Sequence, residues 1–237
     1  MNRQNLIWIT ASFLLSVATI FYFVNNPGGK MAARLLNFET ITKAYQQHIL
    51  MVFVASAAAI IVSVSLGILI TRPFFSQWAP IVDNIVNIAQ TIPSLAILAL
   101  FFTYLGRGFS TAVFALWLYA LLPILRNTSA GIQNISPGII EAARGMGMSN
   151  LHILTRIELP LALPVIMGGI RTSAVITVGA AALASFIGAG GLGDLIVTGL
   201  TVSRNTLVVA GGILSALLAI FLDQVLDLIE NSLRVRQ

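Results

Sequence analysis

The residues of this chain that could do chemistry are few and scattered. Of its 237 residues, eight are Asp or Glu, two are His and none is Cys. His48 and His152 stand far apart and the acidic residues occur singly, so no segment has the close ligand spacing of a metal site. Without cysteine there are no disulfides, thiolate zinc sites or iron–sulfur clusters. No GxSxG elbow and no HExxH helix is present. Asp223 and Asp227 share a helix face at i,i+4, which reads as a solvated helix terminus rather than a catalytic pair.

Three further features invite a chemical reading. Gly188-Ala189-Gly190-Gly191-Leu192-Gly193 matches GxGxxG. A dinucleotide site needs a strand before it and an acidic residue about 20 positions later. Here an apolar span precedes it and position 213 is Ile213, so a nucleotide site is rejected. Gly188, Gly190, Gly191 and Gly193 are left as a turn, either structural or part of a flexible gate. A phosphate-binding P-loop needs Lys followed by Ser or Thr, yet Lys30 precedes Met31 and Lys43 precedes Ala44. Arg171 sits inside an apolar stretch, where a charge costs roughly 2.5–3.5 kcal/mol on insertion scales. It is read as snorkelling toward an interface, with pathway lining as the other reading.

The elements holding these residues are membrane spans. Only 9% of residues are charged and 57% are hydrophobic, with a mean hydropathy of +0.94. A soluble domain carries roughly 25% charged residues. The net charge of +5 comes from singly spaced Lys and Arg, not from a basic stripe, so nucleic acid is not an expected partner. Crossing the hydrocarbon core takes about 20 apolar residues. Uncharged runs predict six crossings: Leu6–Val24, His48–Ile70, Ile85–Leu105, Phe109–Leu125, Leu161–Ile187 and Thr206–Leu226.

The first run is too long for a signal-peptide core and is read as a retained span. Pro93 falls inside the third. Residues 25–47 form a connector whose second half, Phe38 to Gln47, predicts an amphipathic interfacial helix. Residues 48–226 form the core and 227–237 a cytoplasmic tail. Small-residue faces, Ser56, Ala59, Ser63 and Gly67 on one span and Ala180, Ala184 and Gly188 on another, predict close helix packing. The fold class is an all-α polytopic bundle. With the amino terminus inside, Arg3, Arg72, Arg126, Arg144, Arg156, Arg234 and Arg236 lie on the cytoplasmic side against Lys30, Arg34, Lys43, Arg107 and Arg204 outside, a weak positive-inside bias.

The longest polar interruption is residues 126–160. Ser136-Pro137 is a helix start, with Ser as N-cap and Pro in the first turn. Glu141 then lies near the positive helix end, and Ile139, Ile140, Ala143 and Met146 make an apolar face. Gly145 and Gly147 permit a tight turn. A second helix, Asn150 to Ile157, is expected to end near Pro160.

Glu141-Ala142-Ala143, Gly147, Ile157 and Leu159-Pro160 resemble, at matching spacing, the EAA signature of binding-protein-dependent ABC importer permeases. The segments from Gln90 to Ala96, Tyr119 to Thr128 and Ile187 to Asp194 are similar to permeases of glycine betaine, carnitine and choline importers. The resemblance covers about residues 45–225. It implies a MetI-like fold, a cytoplasmic ATPase docked on the loop, and ATPase-coupling roles for Glu141, Ala142, Ala143, Arg144, Met146, Gly147, Ile157, Leu159 and Pro160. It also implies a second permease copy or sister chain, an extracytoplasmic solute-binding protein, and ATP and Mg held by the ATPase, with no cofactor on this chain. Pro93, Arg171 and the glycines from Gly188 to Gly193 become candidate gate or pathway residues. The rival readings are the same machine carrying an amino acid or other small polar solute, and an ion-coupled secondary transporter. The second would favour intramembrane acids and inverted repeats, neither of which is apparent.

Overall fold

A computed structural model describes residues 3–233. Arg234 and Arg236, and with them the end of the expected cytoplasmic tail, lie outside the described residues. Among the described residues there is helix and no strand. Five helical stretches are long and apolar enough to cross a membrane: Leu6–Asn25, Phe38–Ile70, Phe109–Gln133, Asn150–Ile187 and Asn205–Leu233.

The helices in chain order are α1 (Arg3–Asn25), α2 (Lys30–Ala33), α3 (Phe38–Ile70), α4 (Ala79–Thr91), α5 (Ser94–Leu105) and α6 (Phe109–Gln133). After these come α7 (Pro137–Gly145), α8 (Asn150–Ile153), α9 (Leu159–Ala181), α10 (Gly193–Thr201) and α11 (Asn205–Leu233).

Several boundaries depart from the sequence expectations, each for a local reason. The expected third span is two helices, α4 and α5. Proline lacks an N–H and forces the residue before it out of helical geometry. Ile92 and Pro93 accordingly take extended ψ values of 122° and 137°. The expected interfacial helix at Phe38–Gln47 is not separate. No Gly or Pro lies between it and His48, so it runs straight into the span as a 33-residue helix. Asn37 starts that helix by accepting a hydrogen bond from the Thr40 amide at 2.8 Å. α6 continues past Leu125 to Gln133, so the polar interruption begins inside a helix. α11 likewise continues past Leu226 to Leu233.

The core is built on α6, which packs along both α3 and α9. Small residues set these distances. A Cβ on Gly67 of α3 would stand 2.7 Å from the Thr128 side chain, and one on Gly169 of α9 would stand 2.6 Å from Asn127 Cβ. Pro123 interrupts the α6 ladder at this level. Carbonyls around it also accept from side chains: Ser63 Oγ donates to Leu121 O at 2.9 Å, Ser173 Oγ to Ala120 O at 2.8 Å, and Asn127 Nδ2 to Pro123 O at 2.8 Å. α1 leans on α11, where Ser12 donates to Gln224 at 2.9 Å and Phe13 packs against Phe221.

Candidate docking loop and its anchors

The loop between α6 and α9 is a helical elbow whose conformation follows from its sequence. Pro137 opens α7 behind Ser136, which holds the N-cap position without a side-chain hydrogen bond. Glu141 lies one residue beyond the first turn and is exposed. At the far end the Gly147 amide donates to Arg144 O at 2.9 Å and the Met148 amide to Ala143 O at 3.1 Å. This is a Schellman turn, which needs a left-handed residue after the helix. Gly147 supplies it at φ +79°. Ser149 then caps α8 through the His152 amide, a start signal missed by a reading that began the helix at Asn150.

The expected apolar face of α7 divides in two. Ala143 is buried at 1% exposure, while Met146 is 74% exposed and Ile139 44%. Leu151 on α8 is 69% exposed. Ala142 and Arg144 are exposed beside them, and a Cβ on Gly147 would meet nothing within 4 Å. The elbow therefore exposes apolar side chains on α7 and α8 and has open space at Gly147.

Pro160 does not end the second loop helix. The backbone widens into a π-turn over Leu154–Glu158 and continues as α9, with the Leu159 amide bonded to Leu154 O. The physical reason is Pro160 itself, which has no N–H for the carbonyl four residues back and would crowd it with its ring. A wider turn relieves both. Ile157, Leu159 and Pro160 are half-buried at this root. Between them Glu158 is 8% exposed and accepts from Arg72 Nη2 at 2.5 Å. Arg72 follows the last turn of α3 and is steadied by Ile68 O and Thr71 Oγ1 at 3.3 and 3.0 Å. Sequence reading missed this pair, because 86 positions separate its members.

Arg171 neither snorkels alone nor stands free. Its guanidinium forms a fork with Asp223 (2.8 and 3.0 Å) and reaches Asp227 (2.5 Å) and Glu230 (3.4 Å). These carboxylates sit at i, i+4 and i+7 on one stripe of α11, so they ion-pair with α9 instead of marking a solvated end. Arg171, Asp227, Gln224 and Trp8 line one cavity of about 200 Å³. That places the cluster level with the amino-terminal edge of the first span.

The glycine-rich segment is held down, not loose. Gly188, Gly190 and Gly191 have φ of +73°, +82° and +95°. The Gly191 amide donates to Gln47 Oε1 and the Leu192 amide to His48 Nδ1, both at 3.2 Å. Since Nδ1 accepts, the proton of the neutral ring is on Nε2, which donates to Val178 O at 3.1 Å. Gly193 opens α10 against the Ala182 carbonyl, which any Cβ would overlap. Pro93 lies apart from all these groups, at the α4–α5 break, where Tyr119 donates to Ile92 O at 3.3 Å.

These features define a polytopic helical membrane protein with an exposed helical elbow between α6 and α9. The chain belongs to the family described as the inner membrane component of binding-protein-dependent transport systems, whose profile matches residues 59–235. It is a multi-pass protein of the cytoplasmic membrane. The choline transport system permease protein OpuBB of Bacillus subtilis is 44% identical over 195 residues, 82% of this chain and 88% of that one. The carnitine transport permease protein OpuCD of Listeria monocytogenes is 42% identical over 198 residues, 83% of this chain and 88% of that one. Among solved structures, an inward-facing form of the MetNI methionine ABC transporter superposes with a TM-score of 0.72 at 26% identity, covering 82% of this chain and 96% of that one.

Proposed function

We propose that this chain is the transmembrane permease subunit of an ATP-driven importer for a quaternary-ammonium osmoprotectant such as choline, carnitine or glycine betaine. The observation that carries the coupling assignment is the elbow at Gly147, which leaves Met146, Ile139 and Leu151 exposed and open space beside the Gly147 backbone. Exposed apolar residues gathered at one polar turn mark a protein interface. A cytoplasmic ATPase subunit is the partner, and it holds the ATP and Mg, so this chain is itself non-catalytic. Two copies, or this chain with a sister permease, enclose the pathway, and an extracytoplasmic binding protein delivers the solute. The cargo class rests on the choline and carnitine permeases that resemble the chain. The methionine transporter of similar fold supports the second reading, an amino acid or other small polar solute.

The test is co-purification and uptake. The wild-type chain brings down an ATPase and supports ATP-driven uptake of radiolabelled choline, carnitine or glycine betaine. Gly147→Trp fills the open space and abolishes ATPase association while membrane insertion persists. Met146→Asp, at an exposed position with no backbone strain, weakens the same association. Gly147→Asn, which tolerates the left-handed conformation, keeps it. Normal ATP-driven uptake by Gly147→Trp would overturn the coupling assignment.

A further inference from the structure

α3 is tied near both of its ends to segments that belong to other helices. At its Ile70 end, Arg72 pairs with Glu158 in the π-turn at the root of the docking elbow. Near its other end, Gln47 and His48 hold the amides of Gly191 and Leu192. From His48 to Ile70 the helix rises about 33 Å at 1.5 Å per residue. The helix is unbroken from Phe38 to Ile70, so Gln47 and His48 sit on the rod whose end is followed by Arg72.

The Arg72 end has the features of a joint. Glu158 is the last residue of the π-turn, where the backbone has left regular α geometry. Such π-turns are recurrent kink points of long helices and often lie at functional sites. A carboxylate with 11% side-chain exposure next to a guanidinium with 28% exposure is a short, partly desolvated ion pair. Arg72 is itself oriented by two further hydrogen bonds to its own helix end. A displacement of α7 and α8 therefore reaches α9 through the π-turn, and reaches α3 through this ion pair.

We infer that Arg72 and Glu158 are positioning residues for energy coupling, the joint through which movement of the docking elbow is passed to α3. The inference rests on the permease reading given above. The role of Arg72 and Glu158 is to make α3 and the π-turn move together.

The test uses the full transporter, with its ATPase and binding protein, in proteoliposomes. ATP hydrolysis and uptake of radiolabelled choline, carnitine and glycine betaine are measured together. Glu158→Gln and Arg72→Gln retain ATPase association, and the ATP hydrolysed per solute imported rises about 2- to 30-fold, the range of 0.5–2 kcal/mol of lost coupling. The exchanged pair Arg72→Glu with Glu158→Arg brings the ratio back toward the wild-type value. If hydrolysis and uptake fall in proportion in the single variants, or the exchanged pair fails to lower the ratio, the joint is refuted. A wild-type complex that brings down no ATPase and imports none of the three solutes refutes the permease reading instead, and the inference with it.

Discussion

Gly193 and Gly212 are both helical glycines with opposite surroundings. A Cβ on Gly193 would overlap the Ala182 carbonyl, whereas one on Gly212 would meet nothing within 4 Å. Gly193→Ala should cost about 1–3 kcal/mol through backbone displacement. Gly212→Ala should be neutral or stabilising by up to about 1 kcal/mol. Thermal melting of the two variants in the same detergent checks the pair, and coincident melts would contradict it. Single residues were legible in the sequence where their role is local. Gly147 was assigned to a turn because glycine permits one, and the Schellman hydrogen bonds supply the reason. His48 has no ligand spacing in the sequence, and its partners, Val178 on α9 and Leu192 on the glycine-rich segment, were not visible because they lie 130 and 144 positions away.

The ion-paired stripe joins α9 to α11, and its stability contribution belongs to the pair of helices. Arg171→Ala leaves Asp223, Asp227 and Glu230 facing one another and should destabilise by about 1–3 kcal/mol, a value reduced by partial exposure. Arg171→Lys should recover only part of this, because an ammonium cannot form the fork made with Asp223. Melting at low and high salt checks both, with the gap between wild type and Arg171→Ala narrowing as salt screens the exposed side. The π-turn yields a separate expectation. Pro160→Ala restores an N–H and lets the backbone return to α geometry, which turns α8 by about 100° relative to α9. A spin-label distance between positions 71 and 146 should then change. Element positions were largely readable from apolar run length, while element ends were not. Hydropathy does not register that Gln47 and His48 continue a helix, or that a backbone can pass Pro160 by widening.

For the molecule as a whole, composition alone placed the chain in a membrane, and run length gave the approximate number of crossings. The broken α4–α5 segment was hidden, because hydropathy averages across Pro93. Its consequence for topology is testable, since the sequence has no cysteine. Between Lys30 and Met146 lie α3, the α4–α5 pair and α6. If the broken pair crosses the membrane as a unit, Lys30→Cys and Met146→Cys face opposite sides. An impermeant maleimide should then label Lys30→Cys from outside intact cells and Met146→Cys only from the inside. Labelling of both from one side would mean that α4–α5 turns back. The contacts that shape the assembled bundle, Arg72 with Glu158, Arg171 with Asp223 and Gln47 with Gly191, join distant positions and leave no local pattern to read.

The open space at Gly147 has a further use. Nothing of this chain lies within 4 Å of a Cβ added there, but the left-handed φ of +79° excludes a bulky residue, so the bump of a bump-and-hole design belongs on the adjacent, exposed Met146. A larger residue at 146, matched by a cavity carved into the docked subunit, would make a private pair in a cell that holds several transporters of this kind. One chain could then be insulated from the ATPases of its relatives without altering the rest of the bundle.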